Sequence, residues 1–293
     1  MRFVLTLIAA GPDHRLSGVA AAVCEALTIA AEPIWLAPEE ACDIFLDASE
    51  TEPIECRVSA AVGGVAVDWL LQPAAGRRKR LLVADLESTL IENEMLDELG
   101  SILGIGSEIA EITRRAMNGE IDFAGALAAR VELLAGAETR ILAEAATRIR
   151  LAPGAVTLVA TMQRAGAQTA LVTGGFTIFA EGVAAQLGVA RIVANRLEVA
   201  GARLTGRVLP PIVTGQTKRR TLLALARELG IAADAVLAVG DGANDLPMLD
   251  AAGLGVAFHA KPAVAAAARW RIDHADLTGL LFAQGYRREE IFG

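Results

Sequence analysis

Two carboxylates one residue apart, Asp85 and Glu87, follow directly on the apolar run Leu81-Leu82-Val83-Ala84, and Ser88 and Thr89 come next. An Asp at the tip of a buried strand, exposed by the turn that follows, can meet an electrophile in line; an acid two residues on can move a proton at the same place. Thr89 can anchor that turn through its hydroxyl. A second acidic group closes another apolar run, Gly240-Asp241-Gly242-Ala243-Asn244-Asp245. Its small residues let the backbone bend and let hard oxygen ligands converge on a cation such as Mg²⁺. Leu171-Val172-Thr173-Gly174-Gly175-Phe176-Thr177 offers a hydroxyl and closely spaced backbone N–H groups where a strand turns into a helix, a cradle for an anion. Lys218 opens a helix after Thr214-Gly215-Gln216-Thr217 and can neutralise an anion and an attacking carboxylate together. Separately each has an ordinary reading: acids near a helix N-terminus, an Asp/Gly-rich turn, a glycine turn, a solvated lysine. Together they supply what phosphoryl transfer from an unactivated monoester demands, a reaction whose acceleration reaches about 10²¹-fold. Asp85 is then the candidate nucleophile, Glu87 the candidate proton donor to the departing oxygen, and the remaining groups candidates to hold a divalent ion and the equatorial oxygens.

The elements that must position these groups are legible in outline. Leu81–Ala84, Thr169–Thr173, Ala235–Gly240 and Leu254–Phe258 are short apolar runs suited to buried parallel strands. Helical stretches at Pro153–Ala165 and Lys218–Leu229 lie between them, which predicts an α/β parallel sheet with crossover helices and a ligand site beyond the carboxyl ends of the strands. Asp97–Arg150 reads as a run of helices too long for a loop and is expected to cap the site. Arg196–Val199 and Arg203–Val208, around Ala200-Gly201-Ala202, read as a hairpin.

Residues 1–76 precede this unit as a small α+β module: an apolar first strand, a helical stretch over Ser17–Ala31, apolar pieces at Ile34–Leu36 and Ile44–Leu46, and weak alternation over Ala60–Val67 running on to Leu71. Gln72-Pro73-Ala74-Ala75-Gly76 marks the boundary, so that residues 77–293 form the second unit with the cap inserted at about 95–150. The run Arg77-Arg78-Lys79-Arg80 is expected to be a solvated linker edge.

Composition narrows the partners. The 293 residues are 54% hydrophobic, with alanine the largest contributor, and no segment approaches the roughly 18 apolar residues of a membrane span. A net charge of −8 argues against nucleic acid. The first ten residues read as a buried strand rather than a signal peptide, because Pro12, Asp13, His14 and Arg15 follow without a cleavage site. Cys24, Cys42 and Cys56 lack metal-ligand spacing and suit a reducing cytoplasm. Only Lys79, Lys218 and Lys261 are lysines, so the place of each is informative.

In this order the motifs resemble the haloacid-dehalogenase (HAD) superfamily of phosphatases and, within it, the phosphoserine phosphatases. Asp85 to Leu99, Val172 to Thr177, Gln216-Thr217-Lys218, Val239 to Met248 and Ala252 to Pro262 carry the resemblance, which spans about Leu81–Leu280. It implies a HAD-type Rossmann-like sheet with an inserted helical cap and an N-terminal domain of the regulatory, amino-acid-binding (ACT-like) kind, whose ligand or role in a homodimer stays open. It also implies Asp85 as nucleophile, Mg²⁺ held by Asp85, Asp241 and the main-chain carbonyl of Glu87, and Asp245 supporting the metal's water or Lys218. Thr173, Gly174, Lys218 and Asn244 would surround the phosphate. In the cap, Glu94 would take the ammonium and Arg130 the carboxylate of phosphoserine, with Met117 and Phe123 closing over it; a bidentate Arg and a Glu suit those groups. The implied activity is hydrolysis of O-phospho-L-serine to L-serine in amino-acid biosynthesis.

The sequence departs from the family pattern at Glu87, where most members have Asp. An extra methylene moves the carboxyl group by roughly 1 Å, a displacement that can cost ~10²-fold. A related branch that passes the phosphoryl group from phosphoserine to homoserine carries Glu there, so transfer to another acceptor, or action on another small phosphomonoester, is the second enzymatic reading. A sensor that binds phosphoserine without turnover is the third.

Overall fold

The computed structural model describes residues 2–47 and 52–292. Seven strands build the larger sheet in the order β11-β10-β9-β5-β6-β7-β8, comprising β5 (Leu81–Ala84), β6 (Gln168–Phe176), β7 (Arg191–Ala200), β8 (Arg203–Leu209), β9 (Val236–Gly240), β10 (Leu254–Phe258) and β11 (Trp270–Ile272). Every pairing is parallel except the β7–β8 hairpin. The four residues of β5 are all buried, and they alternate between two apolar layers. Leu82 and Ala84 pack with Leu171, Leu237, Val239 and Val256; Leu81 and Val83 pack with Val172, Val236, Ala238 and Leu222. A strand covered on both faces has no polar side, which is why the sequence runs apolar without alternation.

Helices α7 (Ala155–Arg164), α8 (Thr177–Leu187), α9 (Gly215–Glu228), α10 (Leu246–Ala251), α11 (Pro262–Ala267) and α12 (Gly279–Ala283) connect or flank these strands. Because β5 lies between β6 and β9, the residues after all three strands meet at one edge of the sheet.

The expected cap is present as α3 (Met95–Leu103), α4 (Gly106–Met117), α5 (Phe123–Glu132) and α6 (Arg140–Ala146). Its two connections run side by side: the Glu92 N–H donates to Arg150 O (2.9 Å), the Ala152 N–H to Leu90 O (2.9 Å), and Ile91 bridges Leu151. The β7–β8 hairpin also holds it, with the Gly136 N–H donating to Leu204 O and the Leu204 N–H to Ala137 O (2.9 Å each).

The first 73 residues hold β1 (Arg2–Ala9), β2 (Ile34–Ala37), β3 (Ala41–Asp47) and β4 (Val67–Pro73) in an antiparallel sheet ordered β2-β3-β1-β4, with α1 (Arg15–Leu27) and α2 (Glu52–Val62). Phe3, Leu5 and Leu7 of β1 face the helices' apolar residues, including Val19, Val23 and Val58, whereas Ile8 joins the core of the larger sheet with Leu280 and Leu281. The weak alternation read over Ala60–Val67 is not a strand: its first residues are the end of α2, where Ile54, Val58 and Val62 recur every four residues and pack inward.

The basic run is also not the solvated edge the sequence suggested. Arg77 is nearly buried and pairs with Asp43 (2.6 Å), and it donates to Thr6 Oγ1 (2.9 Å) and Ala283 O (3.2 Å). Arg78 pairs with Glu290 and lies over the Tyr286 ring, and Lys79 donates to the carbonyls of Gly76 and Asp234. Arg78 and Arg80 are exposed, whereas Lys79 is buried. With the Gln72 side chain donating to Ala283 O (2.7 Å) and Trp270 Nε1 to Leu71 O (2.9 Å), this seam fastens the N-terminal sheet to the larger one. No helix among the described residues is long and apolar enough to cross a membrane.

Candidate active site

Asp85 follows β5 and its N–H donates to Val239 O (3.0 Å), which ties it to the neighbouring strand. Asp241 follows β9, the strand beside it. With Asp245, whose side chain accepts from the Gly242 N–H (3.0 Å), these carboxylates bring oxygens within 4.8 Å of one another. Lys218, in the first turn of α9, is completely buried beneath them: Nζ donates to Asp245 Oδ1 (2.7 Å) and lies 2.8 Å from Asp85 Oδ1. Thr214 caps α9 by accepting from the Thr217 N–H. Burial alone would strip the lysine of its proton, but Asp245 and then Asp85 outweigh it and hold the ammonium form.

The carboxylates outnumber this one cation. Burial, then Asp85 and Asp245, push Asp241 up to about 8; burial, then Asp85, push Asp245 up to about 6 against the pull of Lys218. Asp85 Oδ1 is buried and has no aligned hydrogen-bond donor among the described residues, since Lys218 approaches it off-axis. Clustered hard oxygens short of positive charge are what a divalent cation relieves, so these residues fit a metal.

The strand read as ending at Thr173 continues to Phe176 with an irregular register after Val172. Thr173 Oγ1 accepts from the Gly175 N–H (2.9 Å), so the hydroxyl still has its own proton to give. The two glycines are closely approached by side chains of other elements. A Cβ at Gly174 would lie 2.9 Å from Phe123 Cζ at the start of cap helix α5, and one at Gly175 would lie 2.8 Å from Glu87 Oε2. Glu87 Oε1 accepts from the N–H of Met95, the first residue of α3 (2.9 Å), so its extra methylene reaches the cap. Burial, followed by Glu94 and Asp85, pushes Glu87 up to about 8. Glu94 accepts from Ser88 Oγ (2.8 Å), with Ser88 in the left-handed region at φ 52°, and burial raises its pKa. Thr89 does not anchor its own turn; it is fully buried with its hydroxyl 3.5 Å from Asp241 Oδ1.

A cavity of about 710 Å³ lies between this floor and the cap, and Asp85, Glu87, Glu94, Phe123, Arg130, Gly174, Asp241 and Asn244 all line it. Arg130 Nε donates to its own helix at Ala126 O (3.3 Å). Lys218 and Thr173 lie beneath the wall rather than on it. The Met117 side chain lies outside the described residues. Sequence reasoning missed Asp97, Gln216 and Lys261 on the wall, although the scarcity of lysine singled out the last of these. Such a site can receive an anionic group beside a metal, attack it with a carboxylate, and hold a polar tail under the cap.

A parallel sheet of this order with a helical cap and these motif-bearing strand ends defines a class: residues 82–250 match the family model of the haloacid dehalogenase-like hydrolases, and the chain belongs to that family. Among characterised relatives, the phosphoserine phosphatase of Lactococcus lactis is 44% identical over 203 residues, covering 69% of this chain and 94% of that protein. The phosphoserine phosphatase of Streptomyces coelicolor is 41% identical over 257 residues, covering 87% of this chain and 62% of the relative. The chain thus spans about three fifths of the length of several curated relatives it matches. In structure it is similar to a HAD family hydrolase from Salmonella enterica serovar Typhi, at a TM-score of 0.87 and 28% identity over 96% of this chain and 98% of the other. A substrate-bound phosphoserine phosphatase matches at a TM-score of 0.66 and 35% identity, over 70% of this chain and 98% of its own.

Proposed function

We propose that the chain hydrolyses O-phospho-L-serine to L-serine and phosphate through an aspartyl phosphate on Asp85. The observation that carries this reading is the convergence of Asp85 and Asp241 at adjacent strand ends, with Lys218 of α9 against Asp85, under a cap that presents Arg130, with Glu94 on the same wall. Arg130 receives the substrate carboxylate and Glu94 the ammonium. The Asp85 carboxylate attacks phosphorus, Glu87 gives its proton to the seryl oxygen, and the same group then takes a proton from water as that water cleaves the acyl phosphate. Lys218 and the Thr173 hydroxyl stabilise the charge on the transferring group. Asp85, Asp241 and the main-chain carbonyl of Glu87 would hold Mg²⁺, which would supply neutralisation of the phosphate charge. The nearness of Phe123 to Gly174 supports a cap that excludes water around the reacting group.

The reading is tested by phosphate release from phosphoserine, phosphothreonine and sugar phosphates with Mg²⁺ and with chelator. Phosphoserine is expected to dominate, and equal rates on sugar phosphates would remove the substrate assignment. Arg130→Ala is expected to lower kcat/KM for phosphoserine by about 10²-fold, the loss of a charged hydrogen bond, and to leave an aryl phosphate without a carboxylate nearly unaffected. A thermal melt checks the metal: at a hundredfold excess of Mg²⁺ over its Kd the midpoint is expected to rise by about 5 °C, and Asp241→Asn is expected to remove the rise.

A second reading, transfer to a hydroxyl acceptor such as homoserine, is favoured by one observation: Glu87 is tied to the cap at Met95, which alters where its proton is delivered. Formation of phosphohomoserine when homoserine is added to the phosphoserine reaction decides between the two.

A further inference from the structure

The lining of the cavity is acidic for a site that takes an anion. Asp85, Glu87, Glu94, Asp97 and Asp241 line it, and the facing cations are Arg130 and Lys261. Lys261 is exposed and has no carboxylate within ion-pair reach among the described residues. It lines the same cavity as Glu94 and Asp241.

The backbone that carries Lys261 is fixed from an unexpected direction. His259 adopts the left-handed region at φ 43°, uncommon for a residue with a side chain, and must therefore be held there by its surroundings. Its N–H donates to Ile272 O (2.8 Å), Nε2–H donates to Ala275 O (2.9 Å), and the ring stacks on Phe258. The turn that offers Ala275 is in turn gripped by Asp68 of β4. That carboxylate, 4% exposed, accepts from the N–H groups of Asp273 (2.8 Å), His274 (3.1 Å) and Ala275 (2.8 Å). A continuous run of hydrogen bonds thus leads from the N-terminal sheet to the rim of the catalytic cavity.

We propose that Lys261 is a substrate-facing residue that draws the phosphorylated amino acid into the site, and that Asp68 of the N-terminal sheet positions it through the 273–275 turn and His259. The inference rests on the phosphatase reading above. A solvated cation at the mouth of an acidic cleft raises the local concentration of an anionic substrate and acts on capture rather than on the chemical step. The N-terminal sheet then contributes to substrate affinity without touching substrate.

The test is steady-state phosphate release from O-phospho-L-serine at saturating Mg²⁺, at about 20 and 200 mM salt. Lys261→Gln is expected to raise KM about tenfold at low salt and less at high salt, with kcat changed by no more than about threefold, the signature of lost ground-state binding. Lys261→Arg is expected to restore most of the loss. Asp68→Asn is expected to raise KM about threefold in the Lys261 background and not in the Lys261→Gln background, a non-additivity that general destabilisation would not produce. His259→Phe keeps the ring stack, removes only the donor to Ala275, and is expected to repeat that pattern should Asp68→Asn fold poorly. An unchanged KM in Lys261→Gln overturns the capture role, and equal effects of Asp68→Asn in both backgrounds overturn the positioning role. Absence of phosphate release by the unmodified protein from every phosphomonoester would instead remove the phosphatase reading, and this inference with it.

Discussion

Asp85→Asn is expected to abolish phosphate release, by at least about 10⁴-fold in kcat, while leaving the fold intact. The two side chains have the same shape, so the packing at the end of β5 does not change, and Val239 O still accepts the main-chain N–H. What disappears is the anion that forms the acyl phosphate. An amide oxygen at that position is a poor nucleophile, and transition-state stabilisation by the remaining groups has no covalent step to act on. The substitution also removes one carboxylate from a cluster whose members push one another's pKa upward, so the melting midpoint should hold or rise. Phosphate release and a thermal melt on the same preparation check both halves. Retention of a tenth of the activity would show that Asp85 is not the attacking group, and a collapse of the midpoint would show that its charge is structural.

The ends of the strands were the most legible part of the molecule because two local signals coincide there: a short apolar run, demanded by burial on both faces, and a polar or small residue where the backbone leaves the sheet. Asp85 and Asp241 are of this kind, and Thr173 stands where the register of β6 becomes irregular. Features that depend on distant partners left less trace. Nothing near Arg77 announces that its counter-ion, Asp43, comes from another strand some thirty residues earlier, and so the basic run reads as solvated. The three residues of β11 are too few to carry a period and owe their conformation to pairing with β10. The α2 helix did carry a signal, the fourfold spacing of Ile54, Val58 and Val62, hidden beneath an apparent alternation in its last turn. Asp68 carried one too: a single acid inside the apolar stretch Val67–Leu71 requires buried donors, and the chain supplies three main-chain N–H groups from more than two hundred residues away. Glu87 was identifiable as a departure, but its bond to Met95 N–H follows from where the cap begins, which residue spacing does not specify.

Lys218→Met is expected to damage both activity and stability, and its pH dependence separates the two causes. The lysine is fully buried with Nζ between Asp245 and Asp85, so a thioether of similar volume fills the space but leaves two carboxylates facing each other without their cation. Breaking a buried pair by removing one partner costs about 3–5 kcal/mol, which lowers the melting midpoint by roughly 10 °C in a chain of this size. Activity should fall by about 10³-fold, because a fixed positive charge beside the transferring group acts in a dry site where it needs no reorganisation. The sign of the pH effect follows from the carboxylates. Asp245 is already pushed up to about 6 with the lysine present, and without it that acid binds a proton still more readily in the folded state. Groups whose folded pKa is raised add stability as pH falls toward the unfolded value, so the deficit of Lys218→Met relative to the unmodified protein should shrink between about pH 8 and pH 5. In the unmodified protein Asp245 gains in this way only as pH falls through about 6, while Lys218, whose pKa is raised, stays protonated throughout that range and its contribution is lost only above it. Thermal melts of the two proteins across that interval measure the difference. A constant deficit would mean that the lysine stabilises the fold by packing its stem rather than by pairing with Asp85 and Asp245. Lys218→Arg, which keeps the charge but exceeds a pocket closed on all sides, is expected to keep the pH response of the unmodified protein while still losing activity.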